Sequence, residues 1–504
     1  MRRSPVPRSS SRPAARWAAL ALLVLAACVP TARRPTARTS TASDVETRIV
    51  RVAGGLARPV RVAGRPPDRL DLRERMAWYR VPGVAVAVVD DGRVVWERGY
   101  GVLEAGSERP VTPETLFQAA SISKPLVAVA VLRLVAADRL ELDAPVDRWL
   151  ERWKVPESEV APTSEVTLRR LLSHSGGFTN GAVGVYPPGA PRPTLLEALD
   201  GTPPSTEPPA RVEYPPGSRF VYSGAGYDVV HQALVDVEDE PLAGTMEQLV
   251  LRPAGMERST FEQPLPAALA ADAARGHDGS GRPLPGGWMV LPEAAAGGLW
   301  ATAGDLGRFL AALAGSWREG GLLPTDLARE MGRPQSGSWG LGIEVADDGG
   351  ELRLEHTGSN PGYRAIAVLY PERGQGAVVL TNGDGGDALR GEILRAVAHE
   401  YRWPGYGVEE VVAVSLTAAS LDDVLGVYDY GGGYRTTLYR EGERLLSRLG
   451  DGLPVEVVPV AGDELVSLQG TRYLLRRGEA GRVVGLTARL GRGEIPATKV
   501  VDTP

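Results

Sequence analysis

Hydrophobic and polar positions divide this chain into zones. Trp17 to Ala27 is an unbroken apolar run of 11 residues. A short helical stretch, Leu70 to Tyr79, leads into Val84-Ala85-Val86-Ala87-Val88-Val89. Asp90-Asp91-Gly92 interrupts that run, and Arg93-Val94-Val95-Trp96 resumes it. Asp-Gly between two β-rich runs predicts a hairpin. Helical spacing follows over 124–140, 226–237 and 304–314; strand patterns return at 351–356, 363–370 and 376–381, and a helix over 387–402 closes the series. Strands at both ends of a helical middle predict one α/β (α+β) domain whose sheet joins distant segments. Residues 181–217 are rich in Pro and Gly and read as an irregular surface excursion.

The pattern changes after Trp403-Pro404-Gly405. Short β-type runs recur at Tyr434 to Tyr439, Arg444 to Leu449, Val455 to Val460, Leu465 to Leu468, Tyr473 to Arg476 and Val483 to Leu490. Glu441-Gly442, Asp451-Gly452 and Gly462-Asp463 mark turns between them. This predicts a small antiparallel barrel or sandwich over 416–504, separate from a main domain over 69–405.

The N-terminal segment has a different logic. Residues 1–16 carry five arginines and no acid, and the 11-residue apolar run that follows is too short for an ordinary membrane span of roughly 20 residues. A basic stretch followed by a short apolar one reads as a secretory signal over 1–27. Leu25-Ala26-Ala27-Cys28 resembles a bacterial lipobox, and Cys28 is the only cysteine. That resemblance implies a lipid on Cys28, a membrane anchor and a place in the bacterial cell envelope, facing the periplasm or exterior. Residues 28–68 read as a tether, with Pro, Thr, Ser, Ala and Arg dominating up to Asp44. Within it, Val50-Arg51-Val52-Ala53-Gly54 recurs as Val60-Arg61-Val62-Ala63-Gly64, which suggests two short strands.

Composition narrows the function. The 504 residues are 43% hydrophobic and 23% charged, ample for a large soluble core. The net charge of −6 does not favour nucleic acid as a partner. Five histidines, at 174, 231, 277, 356 and 399, show no metal-ligand spacing, and no cofactor fingerprint is visible, so no metal and no cofactor is expected. No G-x-S-x-G elbow occurs. Of 56 cationic residues only Lys124, Lys154 and Lys499 are lysine. Arginine cannot surrender its proton, so a surviving lysine draws attention.

Lys124 lies in Ser121-Ile122-Ser123-Lys124-Pro125, ahead of the apolar run Leu126 to Leu132. That run has no polar face and predicts a buried helix. Pro125 is tolerated only in a first turn, which starts the helix near Ser121. Residues three apart share a face, so the Lys124 amine reaches the Ser121 hydroxyl. Burial disfavours an ammonium, and an amine so placed accepts a proton from serine. An isolated S-x-x-K arises readily by chance; its place at the head of a buried helix gives it weight.

Other segments complete a pattern. They are Leu171-Leu172-Ser173-His174-Ser175-Gly176-Gly177, Tyr222-Ser223-Gly224-Ala225-Gly226-Tyr227, Gly297-Gly298-Leu299-Trp300-Ala301-Thr302-Ala303-Gly304-Asp305-Leu306 and His356-Thr357-Gly358-Ser359-Asn360-Pro361-Gly362. With these, residues 70–403 resemble the serine β-lactamase and penicillin-binding protein superfamily, most closely its class C-like β-lactamase-related hydrolases. The resemblance implies a β-lactamase/transpeptidase-like fold with an antiparallel sheet and a helical subdomain. It implies Ser121 as the acylated nucleophile, Lys124 as its proton partner, and Tyr222 as base for Ser121 and acid for the leaving group. His356, Thr357 and Gly358 match the Lys/His-Thr-Gly strand that lines the site, and the oxyanion would lie against the N–H groups of Ser121 and Ser359. His174 reads as a structural residue of its loop.

One departure stands out. The asparagine of the family's Tyr-x-Asn element, which holds the lysine and binds acylamido groups, is Gly224 here. His356 in place of lysine also removes a permanent cation from a substrate carboxylate. Both changes favour a peptidase, amidase or esterase acting on a small-molecule or peptide acyl donor. The alternatives are a class C-like β-lactamase or D,D-carboxypeptidase, and a non-catalytic envelope sensor that keeps the fold. The C-terminal β region resembles the small lipocalin-like domain that often follows this hydrolase domain. A packing or substrate-restricting role is expected for it ahead of ligand binding.

Overall fold

The computed structural model describes residues 42–178, 184–490 and 493–501. The expected signal segment and Cys28 lie outside the described residues. A six-stranded antiparallel sheet forms the centre, in the order Arg93–Gly101, Gly83–Asp90, Gln375–Thr381, Tyr363–Tyr370, Leu352–Asn360 and Glu344–Asp347. The predicted hairpin closes with Asp90 opposite Arg93, and Gln375–Thr381 adds to its other edge. The sheet is therefore assembled from both ends of the domain.

Why the run at 84–89 lacks alternation is now plain. Ala85, Ala87 and Val89 enter one core, while Val84, Val86 and Val88 enter another on the opposite face. Successive side chains point to opposite faces, so a strand covered on both sides is apolar throughout. Helix Ala303–Glu319 covers the first face with Leu306, Phe309, Leu310 and Leu313. Helix Gly386–Tyr401 covers the second with Leu389, Ile393, Leu394 and Val397.

The first face also carries the helical layer. Every residue from Ser123 to Leu132 is buried in helix Ser123–Ala136, as a run without a polar face requires. The α-helix begins two residues later than expected, after a 3-10 turn at Ala120–Ile122, and it ends at Ala136 rather than 140. Pro125 sits in its first turn, where a missing N–H leaves no bond unmade.

Residues 42–68 correct the expectation of a tether over 28–68. Ala42–Ala53 is a helix that buries Ile49 and Val52, and Arg51 on it pairs with Glu400 at 2.6 Å. The first copy of the repeat is thus helical. The second is a strand, Val60–Val62, parallel to Glu409–Val411. One pentapeptide takes two structures because its neighbours decide. Ile49 and Val52 give the first copy a helical apolar face, whereas Pro59 bars a helix from continuing into the second.

The C-terminal region is a closed eight-stranded antiparallel barrel, with Gly426–Gly431 paired to both the next strand and the last, Gly493–Val501. Tyr428, Leu438, Val457, Leu465, Tyr473 and Leu486 fill its interior. Its outer residues Val458, Val466 and Leu468 pack on Val60, Val62 and Val411, and Gln469 donates to the Tyr79 hydroxyl at 3.2 Å. Tyr79 belongs to the second core, so the barrel docks on the sheet face opposite the Ser123–Ala136 helix.

Candidate active site

Ser121 is half-buried between the buried residues Ala120 and Ile122. Its turn is unusual. Ala120 has φ +50°, a left-handed conformation that costs a residue with a Cβ about 1–2 kcal/mol. Several contacts hold it there. Ser123 Oγ donates to Ala120 O at 2.7 Å and accepts from Leu299 N–H at 3.0 Å. Ala119 N–H donates to Leu299 O at 2.9 Å. Ser123, the second serine of the motif, therefore pins the turn that carries Ser121; nothing in the sequence pattern distinguished it.

The strand Leu352–Asn360 crosses this turn at contact. A Cβ on Gly358 would lie 2.2 Å from Ala119 O and 3.2 Å from Ala120 Cβ, so the glycine of His-Thr-Gly is required by the approach of two backbones. Asn360 is buried, and its amide donates to Gln118 Oε1 at 2.9 Å and Gly297 O at 3.3 Å. Pro361-Gly362 forms a two-residue turn between Asn360 and Tyr363. The closing pair of such a hairpin exchanges hydrogen bonds and the next pair does not. Ser359, opposite Arg364, thus turns its N–H to the free edge of the strand. That edge is open because Glu344–Asp347 pairs only with Leu352–Glu355. The side chains of Thr357 and Ser359 are exposed.

Lys124 is 1% exposed. Its Nζ donates to Ser121 Oγ at 3.2 Å and to Ala296 O at 2.5 Å. The same nitrogen lies 5.0 Å from the Tyr222 ring centroid and 5.2 Å from that of Tyr227. No carboxylate pairs with it among the described residues. Ser121, Lys124 and Tyr222, drawn from positions about a hundred residues apart, therefore share one site.

His174 explains why Tyr222 stands there. His174 itself has φ +57°. Its carbonyl accepts from Val221 N–H at 2.8 Å, and its Nδ1 accepts from Ser223 N–H at 3.1 Å. Its ring stacks on the Tyr222 ring at 4.2 Å. The residues on both sides of Tyr222, and Tyr222 itself, are held by one histidine. Because Nδ1 accepts, the ring proton is on Nε2.

His356 carries the opposite tautomer. Its Nδ1 is 2.7 Å from Thr357 O, and a carbonyl only accepts, so Nδ1 bears the hydrogen and Nε2 is bare. That Nε2 is buried without a hydrogen-bond partner. Both imidazoles are neutral. Burial, aided by the Lys124 charge, pushes His356 down to about 3 and His174 well below the ordinary histidine value. Trp339, 4% exposed, stands edge-on to both rings, at 5.0 Å from His174 and 5.2 Å from His356. It completes an aromatic wall with Phe220 and Tyr222 that no motif announced.

Gly224 caps helix Ala225–Glu238, and its carbonyl accepts from Tyr227 and Asp228 N–H at 2.8 and 3.1 Å. No group of three or more His, Cys, Asp or Glu able to hold a metal occurs among the described residues.

The family model described as Beta-lactamase matches residues 70–401. The chain belongs to the β-lactamase family. Among curated relatives, Esterase EstB of Burkholderia gladioli is 31% identical over 319 residues, 55% of this chain and 78% of that protein. Penicillin-binding protein 4 of Amycolatopsis lactamdurans is 28% identical over 383 residues, 70% of this chain and 95% of that one. Among solved structures, the octameric penicillin-binding protein homologue from Pyrococcus abyssi superposes with a TM-score of 0.56 at 22% identity, covering 84% of this chain and 98% of that one. The D-alanine carboxypeptidase AmpC from Burkholderia cenocepacia gives 0.54 at 22% identity, over 71% of this chain and 99% of that one. This family member has the β-lactamase/transpeptidase-like fold followed by a closed antiparallel barrel. It is a serine hydrolase of the β-lactamase-related type, and its substrates are small molecules or peptides.

Proposed function

We propose that this hydrolase cleaves ester or amide acyl donors that lack a carboxylate next to the scissile bond, through an acyl-enzyme on Ser121. The observation that carries the reading is the 3.2 Å contact between Lys124 Nζ and Ser121 Oγ, under the ring of Tyr222. Ser121 Oγ attacks the acyl carbon, and Lys124 and Tyr222 take its proton between them. The carbonyl oxygen gains negative charge against the N–H groups of Ser121 and Ser359. Removing one such donor typically costs about 3–4 kcal/mol of transition-state stabilisation. The bond to the leaving group then breaks, and Tyr222 returns the proton to it. Water repeats the sequence on the acyl-enzyme.

Two features support the preference for uncharged donors. Neutral, buried His356 supplies no cation to attract a substrate carboxylate. Gly224 offers no amide to an acylamido group. The likeness to Esterase EstB agrees with this preference. The likeness to a penicillin-binding protein keeps a second reading, a class C-like β-lactamase or D,D-carboxypeptidase. Comparing turnover of a neutral activated ester, a D-aminoacyl peptide and a cephalosporin decides between them. Ester turnover at least tenfold above the others in kcat/KM is expected; peptide or cephalosporin turnover in the lead overturns the preference.

We further propose that Cys28 carries a lipid and holds the enzyme in the bacterial envelope, a reading supported by the basic and apolar residues that precede it. Metabolic labelling with a fatty-acid probe, lost on Cys28→Ser, tests it; equal labelling of the two proteins contradicts it.

A further inference from the structure

The side of the sheet away from Ser121 carries a cavity of about 1170 Å³. It lies between helix Ala42–Ala53, helix Gly386–Tyr401 and the segment 402–408 that follows. Five arginines line it against two acids, Asp68 and Glu400. Both acids are already engaged. Asp68 accepts from Arg58 through both oxygens, at 2.7 Å each, and Glu400 accepts from Arg51 through both of its own, at 2.6 and 2.8 Å. Arg69, Arg395 and Arg402 have no side-chain hydrogen bond or ion pair among the described residues. Arg69 and Arg402 are exposed, where water satisfies them. Arg395 is partly withdrawn from water, and its Nε is buried without an acceptor. Glu392, three residues earlier on the helix, has both oxygens on Arg75 and Tyr79. Trp403 Nε1, in a residue of the same wall, is also buried without an acceptor.

We propose that this cavity is a second binding site, for a phosphate-bearing molecule, with Arg395 as the group that meets the phosphate. A guanidinium drawn out of water with no counter-charge lowers stability, and an uncharged side chain of similar length would pack there as well. An anion from solution supplies the acceptor that the fold withholds. With its acids engaged and its arginines in excess, the wall repels a cation and suits a doubly charged anion better than a single carboxylate. The planar guanidinium matches phosphate oxygens two at a time. The cavity is far larger than a bare phosphate and of the size that takes whole small molecules, so the phosphate is one end of the ligand. A free phosphate monoester and the headgroup of an anionic phospholipid both present this chemistry. No residue of the wall belongs to the Ser121 site, so the proposal does not depend on the acyl-enzyme reading.

The test is thermal unfolding of the full chain, carrying Cys28→Ser so that no lipid is attached, over a concentration series of glycerol 3-phosphate. Sodium chloride at matched ionic strength is the control. A second arm measures retention on vesicles of phosphatidylglycerol and of phosphatidylcholine. Glycerol 3-phosphate should raise Tm by about 2 °C or more above the salt control, by preferential binding to the fold. Arg395→Gln should abolish that rise while leaving ester turnover within twofold of its parent. Without phosphate this variant should unfold no earlier than its parent, because it removes an unbalanced cation. Should it unfold too early to assay, Arg69→Gln, at an exposed position, decides instead and should weaken the apparent affinity at least threefold. A Tm rise identifies a free phosphate monoester as the ligand. No rise, with retention on phosphatidylglycerol alone that is lost in Arg395→Gln, identifies the lipid headgroup. Neither response, a rise matched by sodium chloride, or a response unchanged in the deciding variant overturns the proposal.

Discussion

Replacing Gly358 by alanine puts the geometry of the site under direct strain. The added Cβ would lie 2.2 Å from Ala119 O, and real contacts of that kind are not shorter than 3.0 Å. Strand and turn must part by roughly 1 Å. Neither can yield by rotating a side chain, because the atom in the way is backbone. The strand carries Ser359 N–H and the turn carries Ser121 N–H, so the shift opens the gap between the two donors proposed above for the oxyanion. A misplacement of about 1 Å costs roughly 10²-fold in rate, and loss of one donor roughly 10²–10³-fold. Overpacking itself costs about 1–3 kcal/mol of stability. The assay is steady-state hydrolysis of a neutral activated ester, with thermal unfolding measured alongside. Gly358→Ala should lower kcat at least 100-fold, with KM within threefold and Tm reduced by a few degrees. A folded variant with kcat within threefold of wild type would refute the reasoning, because the close approach would then have no bearing on the transition state.

Other outcomes follow from the same geometry. Lys124→Arg places a group that cannot release its proton beside Ser121, and ester turnover should fall by about 10³-fold or more. His174→Ala removes the Nδ1 acceptor of Ser223 N–H and the ring stacked on Tyr222, while its backbone carbonyl still holds Val221; kcat should drop about 10–100-fold with little change in KM. His356→Lys restores a cation to the Lys/His-Thr-Gly strand, and should raise kcat/KM for carboxylate-bearing donors relative to neutral esters. His174, His231 and His356 are neutral in the fold, while in the unfolded chain they protonate near 6.5. The unfolded chain therefore binds protons first. Stability should fall as pH drops below about 6.5, by about 1.4 kcal/mol per pH unit for each, and urea midpoints at pH 7 and 4.5 should show a shallower loss in His356→Gln.

Much of the fold was legible because its signals are local. The hairpin at Asp90-Asp91-Gly92 and the helix behind Ser121 are written in turn residues and apolar runs. The continuous run at 84–89 was read only as a strand; its burial on both faces shows once the covering helices are in place. The repeat at 50–54 and 60–64 was illegible for the opposite reason. Its two copies are set apart by what flanks them and by partners hundreds of residues away, Glu400 for one and Glu409–Val411 for the other. At the site, motif spacing pointed to Ser121 and Lys124, and the family resemblance pointed to Tyr222 and His356. Neither named Ser123, Asn360 or Trp339, which act by bracing backbone and rings that meet only in the folded chain. Nor did either show that His174 holds Tyr222, since a loop histidine has no periodicity to betray its partner. The barrel was foreseen as a β domain, but its seat on the far face of the sheet depends on Val458, Val466 and Leu468 meeting Val60 and Val62. That seat argues for packing, away from Ser121.

The central claim is covalent chemistry at one hydroxyl. Intact-protein mass after brief exposure to a slowly deacylating activated ester measures it, with peptide mapping to locate the label. One acyl group on Ser121 is predicted, absent in Ser121→Ala and strongly slowed in Lys124→Arg. Turnover of the ester with no acyl group ever on Ser121, or a label that persists in Ser121→Ala, would contradict the account.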